Sequence, residues 1–126
     1  MAGDLSKPGA LAILSGTAMP TTLYVKGHVG DPGDSGTANA AAETTRKAVT
    51  LGTPSAGAGY YEAGNTTLVE WLNAAANETW SHITLWSASS GGTCWFVDDC
   101  TNVVVVASNT ITIDVGALTV RFPCWV

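Results

Sequence analysis

The stretch TITIDVGALTVRF, residues 110–122, sets the fold class, because its side chains alternate in character residue by residue. Ile111, Ile113, Val115, Leu118, Val120 and Phe122 fall on one face, and Thr110, Thr112, Asp114, Thr119 and Arg121 on the other, with Gly116 turning between the two halves. A period of two is the mark of a half-buried strand. The same period recurs upstream. In Thr22–Val29, Leu23, Val25 and Val29 oppose Thr22, Tyr24, Lys26 and His28. In Thr79–Trp86, Trp80, His82, Thr84 and Trp86 oppose Ser81, Ile83 and Leu85, and the turn at Ser89-Ser90-Gly91-Gly92 leads into a returning strand over Cys94–Val97.

Arg46–Gly52 and Thr66–Leu72 have the β-branched and apolar content of further strands, and the run Val103–Val106 reads as a strand buried on both faces. Gly30–Gly36, GDPGDSG, is a turn-rich loop, and the Gly-rich Ser55–Gly64 reads as a surface loop. The one helix expected lies over Leu5–Met19, where Ser6 caps, Pro8 suits a first turn, and Leu5, Leu11 and Leu14 recur near helical spacing before Pro20 stops it. About eight short strands at roughly ten-residue spacing predict a mainly β domain, an antiparallel β-sandwich or small barrel with one N-terminal helix. The expected organisation is a single domain over 1–126, with a helical arm over 1–20, the sandwich over 21–122 and an apolar tail over 123–126.

Composition narrows the function. In 126 residues only 12% are charged, 46% are hydrophobic, and the net charge is −5 with five Lys and Arg in all. No basic patch is available to neutralise phosphates, so nucleic acid is not an expected partner. The apolar stretch Gly9–Leu14 is too short to span a membrane. A weakly charged surface of Thr, Ser, Asn and Gly suits packing against other proteins.

The search for chemistry yields no catalytic residue, metal site or cofactor. His28, Asp31 and Asp34 lie close in sequence, but Pro and Gly fill the places where a calcium loop needs oxygen ligands, so Asp-stabilised turns are expected there. His28 and His82 lie on strands with no nucleophile motif beside them. Asp98 and Asp99 are adjacent, so on a strand they face apart; a strand-end turn is expected. Cys94, Cys100 and Cys124 lack zinc-site spacing, and are read as reduced structural thiols or, for Cys94 and Cys100, as a small disulfide loop. Five Trp serve either a core or an aromatic surface that stacks on sugar or a neighbouring subunit. The candidate interface residues are Leu5, Leu11 and Leu14, Tyr60 and Tyr61, Trp95, and Trp125 and Val126 of the apolar tail.

The successions LYVKGHVGDPGDSG (23–36), TANAAAETTRKAVTLG (37–52), TWSHITLWSASSGGT (79–93) and TITIDVGALTVRF (110–122) together resemble a group of small virion proteins from tailed phages of actinobacteria and their relatives. Members are described as minor tail, tail-fibre-like or head-decoration proteins. Cys94–Cys100 is richer in Cys and Trp than the family pattern, and the Cys124-Trp125 tail runs past its usual end. The resemblance implies a non-enzymatic structural protein on the virion surface, assembled in the bacterial cytoplasm. Its expected partners are the major capsid protein or tail proteins, with a homo-oligomer, a trimer at threefold lattice positions, as the natural arrangement. The leading expectation is a capsid decoration (cement) protein; the alternative is a minor tail or tail-fibre-like accessory that contacts host-surface glycans.

Overall fold

The computed structural model describes residues 2–123. In chain order the elements are β1 (Ala2–Leu5), α1 (Lys7–Leu14), β2 (Thr22–His28), β3 (Lys47–Thr50), β4 (Ser55–Gly57), β5 (Tyr60–Gly64), β6 (Val69–Trp71), β7 (Glu78–Trp86), β8 (Cys94–Val105), β9 (Ile111–Ile113) and β10 (Thr119–Pro123). Eight strands form one curled sheet in the order β3-β2-β7-β8-β1-β10-β5-β4, and β6 with β9 makes a separate pair. The two sides of the curl meet where Leu51 bridges Asn65, with Gly52 N–H donating to Gly64 O at 2.8 Å and Thr66 N–H to Thr50 O at 2.9 Å. The expected mainly β fold with one N-terminal helix is what the chain adopts, as a half-barrel.

Its core lies inside the curl, where Leu23, Val25, Val49, Ile83, Leu85, Phe96, Leu118 and Val120 meet Trp71, Trp80 and Trp95. Four Trp are described, and all four are buried: Trp71, Trp80 and Trp95 belong to the core cluster, whereas Trp86 lies outside it with the Arg46 guanidinium 4.1 Å from its ring centroid. Three satisfy their indole N–H: Trp71 donates to Thr45 O, Trp80 to Glu78 Oε1 and Trp86 to Thr84 Oγ1.

Several expectations are corrected. The sheet is mixed, because β1 runs parallel to β10 and antiparallel to β8. Ala-Gly-Asp-Leu has no strand propensity of its own; the gap between β8 and β10 imposes the extended form. The helix spans Lys7–Leu14 only: Ser6 Oγ accepts from Gly9 N–H, and Gly16 at φ 89° ends the turn that follows.

Residues 55–64 form a hairpin, not a loop, and Asp98 and Asp99 sit mid-strand in β8. Val103–Val106 is not buried on both faces: Val105 is buried, whereas Val103, Val104 and Val106 are exposed. Trp80 does not share a face with His82 and Thr84, because the β7–β8 register shifts between Trp80 and His82 and turns Trp80 into the core beside Ile83. A second shift, between Leu85 and Trp86, adds Trp95 to β8, so that adjacent Trp95 and Phe96 are both buried.

Candidate interaction site

The pair β5–β10 aligns Ala63 with Val120 and Tyr61 with Phe122 on its core-side face. Towards the end of the strands the core runs out, leaving Tyr61 54% and Phe122 43% exposed. Met19, Pro54, Ala63, Phe96 and Val120 join them to line an apolar groove. On the opposite face, Arg121 Nε donates to Glu62 Oε2 at 3.0 Å and its guanidinium stacks 4.2 Å from the Tyr60 ring. The two Tyr are therefore separated by the alternation of β5: Tyr61 belongs to the groove, and Tyr60 to a clamped stack over Gly57.

The other expected interface residues are not brought together there. Leu5 packs on the core, while Leu11 and Leu14 project from α1, Leu14 being 87% exposed. Trp95 is 1% exposed and sits in the core, so its expected place at an interface is corrected: the extra residue in β8 turns it inward. Trp125 and Val126, with Cys124, lie outside the described residues. Sequence reasoning missed Phe122 and Met19 as groove residues. The alternation that assigned Phe122 to the inner face was right, but the end of the core beneath it had no sequence signal.

The loop over residues 30–42 folds onto the outer face of β2 and β7. Asp31 Oδ1 accepts from Gly33 N–H at 2.8 Å, and Asn39 Nδ2 donates to Asp31 O at 2.8 Å, so the first Asp shapes turns. Asp34 reaches Lys7 at 2.7 Å, in a pair open to solvent on both sides.

Beneath the loop one chain of hydrogen bonds fixes every proton. Trp86 Nε1–H donates to Thr84 Oγ1, whose hydroxyl then donates to His28 Nε2 at 2.8 Å, leaving His28 Nδ1–H to donate to Ala38 O at 2.9 Å. Burial, opposed in part by the Ala38 carbonyl, lowers the His28 pKa. Both ring nitrogens of His28 are committed to holding the loop down. His82, its register partner across β2–β7, bonds to Ser81 Oγ at 2.8 Å.

Asp98 is the chemically unusual carboxylate. It lies on the core face of β8 opposite Ile83, 2% exposed, with Oδ2 unpartnered. Burial pushes its pKa up to about 6, and the charges of Asp99 and Asp4 push in the same direction while His82 opposes them. Asp99 is exposed on the other side, so the two do not act as a pair.

Cys94 and Cys100 are free and buried. Six residues apart on one continuous strand they are separated by roughly 20 Å, which no disulfide spans. Among the described residues no group of three or more His, Cys, Asp or Glu is placed to hold a metal ion, and no helix is long and apolar enough to cross a membrane.

What the surface offers is thus an apolar groove and neutral-polar strands. No curated protein matches this chain. A family model does, the one described as Podophage GP4 fiber I protein gp80, over residues 12–121. That match runs from α1 to β10 and takes in β2 and the residue 30–42 loop, β7 with β8, and β5 with its groove. A fibre protein is a component of the virion, as the resemblance of the sequence to small phage structural proteins implies. The chain belongs to the Podophage GP4 fiber I protein gp80 family.

Proposed function

We propose that this protein is a non-enzymatic structural part of a phage tail-fibre apparatus, and that it docks onto a neighbouring virion protein through the groove at Tyr61 and Phe122. The observation that carries the reading is the match to a fibre family along nearly the whole described chain. The expectation of capsid decoration yields to its alternative on that ground.

The groove favours protein over glycan. Sugar sites combine an aromatic plane with several convergent hydrogen-bonding groups. Here the lining is apolar apart from Glu62 and Arg121, which satisfy each other across the opposite face. An apolar side chain from a neighbouring subunit would fill this groove without leaving polar groups unpaired.

Quantitative mass spectrometry of purified virions against tail-less heads tests the assignment. A few copies per particle that are lost with the tails is the expected result. Hundreds of copies retained on tail-less heads would overturn it in favour of decoration.

A further inference from the structure

The residue 30–42 loop, with Glu43 after it, is folded largely on itself. Ala38 N–H donates to Pro32 O, Gly36 N–H to Gly33 O and Asn39 Nδ2 to Asp31 O, all within the loop. Two backbone bonds join it to β2 around the His28–Ala40 bridge, from Val29 N–H to Asn39 O at 2.9 Å and from Ala41 N–H to Gly27 O at 3.1 Å. Among the described residues its remaining hydrogen bonds to the sheet come from two side chains that titrate. His28 donates through Nδ1 to Ala38 O, and the Glu78 carboxylate accepts from Ala42 N–H and Glu43 N–H. The Lys7–Asp34 pair ties the loop to α1, but it is exposed on both sides and holds weakly.

Each of the two side chains does this in one protonation state. Thr84 Oγ1 accepts from Trp86 Nε1–H and gives its own hydrogen to His28 Nε2. A proton on Nε2 would turn that acceptor into a donor and strip the fully buried Thr84 hydroxyl of its partner. The charge would arise facing basic groups, Lys26 on the same strand and His82 on β7. The acidic groups of the neighbouring elements are turned to other partners: Asp99 of β8 lies across from His82, Asp31 accepts from Gly33 and Asp34 pairs with Lys7. Glu78 has the converse need. Trp80, Ala42 and Glu43 all point an N–H at its carboxylate, and protonation puts a hydrogen among them and removes the charge that strengthens these bonds. Across from Glu78 on β8 is neutral Val105, and the Glu43 carboxylate is turned to Thr45 N–H.

We propose that residues 30–43 are an acid-released flap: neutral His28 and ionised Glu78 hold it against the sheet, and a proton taken up by either loosens it while the half-barrel beneath stays folded. The two act in the same direction. Burial lowers the pKa of His28, and at Glu78, where burial works the other way, the three donors outweigh it and lower that pKa too. Both groups therefore bind a proton more tightly with the flap open. Closure is at full strength above their open-form values, about 6.5 and about 4.5, and the opening equilibrium grows by up to about tenfold for each pH unit below them until the closed-form value is reached. What lies beneath is sealed at neutral pH. His28 and Thr84 are 0% exposed and Cys94 1%, and a Cβ on Gly36 would stand only 2.5 Å from Cys94 Sγ. Acid thus bares a polar strip of β2, β7 and β8 that the neutral protein covers.

Native-state amide hydrogen exchange on the full chain at pH 7.5, 5 and 3.5, in 0 to 1 M urea, tests this, each rate being divided by that of an unstructured peptide at the same pH. Protection at Val29, Ala41 and Ala42 should fall about tenfold from pH 7.5 to 5 and about tenfold again by 3.5. Because the opening is local, these amides should be less protected than those of the β5–β10 ladder and indifferent to urea. His28→Asn, which keeps a donor for Ala38 O, should abolish the first fall. Glu78→Gln, at a partly exposed site, should abolish the second, so the proposal stays open to refutation even if the buried His28 change prevents folding. Protection that is the same at all three pH values overturns it, as do flap amides that exchange only together with the ladder, or a second fall that E78Q leaves intact. The fibre assignment does not depend on the result.

Discussion

The indole of Trp80 lies flat across Gly27: a methyl group on Gly27 would overlap Cδ2, Cε2 and Cζ2 of the ring. The same indole stands edge-on to Trp71, centroids 5.1 Å apart at 90°. Glycine near the end of β2 is thus a space requirement, since its absent side chain is what lets a tryptophan reach the centre of the curl. Gly27→Ala should destabilise the fold by about 3 kcal/mol through overpacking. Gly33→Ala, which meets no atom within 4 Å but sits at φ 75°, should cost only about 1 kcal/mol. Urea unfolding of the two variants measures the contrast.

Much of this arrangement was legible in the sequence, and the failures have identifiable causes. The alternation in 22–29 and 110–122 assigned Leu23, Val25, Ile111, Ile113, Leu118 and Val120 to the core because a single-faced strand must alternate. It failed at Trp80, where a bulge breaks the count, and at Val29 and Val115, which lie past the ends of β2 and β9 and are exposed. β1 was invisible because its extended form is imposed by β8 and β10, more than ninety residues further along the chain. Of the two exposed rings lining the groove, Tyr61 stood among the expected interface residues and Phe122 did not, since exposure at a strand end depends on where the core beneath it stops.

Glu78 anchors the residue 40–45 segment to the sheet. Its carboxylate accepts from Trp80 Nε1 at 2.9 Å, Ala42 N–H at 2.8 Å and Glu43 N–H at 3.3 Å. Burial works against its charge, but these three donors outweigh it and hold the pKa below the ordinary value. Glu78→Ala should cost about 2 kcal/mol, and Glu78→Gln less, because an amide oxygen still accepts. Since the folded pKa is depressed, the stabilisation is present above the unfolded carboxyl pKa and is lost as pH falls through the folded one. Acid unfolding of the wild type should therefore be steeper than that of E78A, as followed by circular dichroism.

Asp98 titrates in the opposite sense. Its folded pKa, about 6, lies above the unfolded carboxyl value of ~3.9, so the folded state holds the proton more tightly. This group's contribution is complete below about pH 4, declines as pH rises towards 6 and is gone above it, a span of about 3 kcal/mol. Asp98→Asn removes the buried charge and should raise stability above pH 6 by about 1 to 3 kcal/mol while flattening the slope between pH 4 and 6. Melting temperatures of both proteins at pH 4.5, 6 and 7.5 decide the matter, and an unchanged difference across that range would contradict the assignment.

Cys94 sits under the residue 30–42 loop with its Sγ near Phe96 O, and burial pushes its pKa up to about 11; Cys100 is raised for the same reason. A thiol with so little thiolate at neutral pH, and no access for reagent, should be inert. In a Cys124→Ser background, Ellman's reagent should find no reactive thiol in the native protein and two after denaturation. Rapid native-state labelling would show that the loop opens on the timescale of the reaction.

Tyr61 and Phe122 oppose each other across β5 and β10 with about half of each ring open to solvent, so little of the fold's stability depends on them. Their removal separates docking from folding. Tyr61→Ser and Phe122→Ser should each lower stability by no more than about 1 kcal/mol. If an apolar side chain of a neighbour fills the groove, either change should reduce incorporation into virions by tenfold or more, because truncating a buried aromatic contact costs about 2 kcal/mol of binding. Tyr60→Ser is the matched control, since it alters the adjacent residue on the opposite face and should leave incorporation unchanged. Equal incorporation of all three variants would show that the groove is not the docking surface, whatever the place of the protein in the particle.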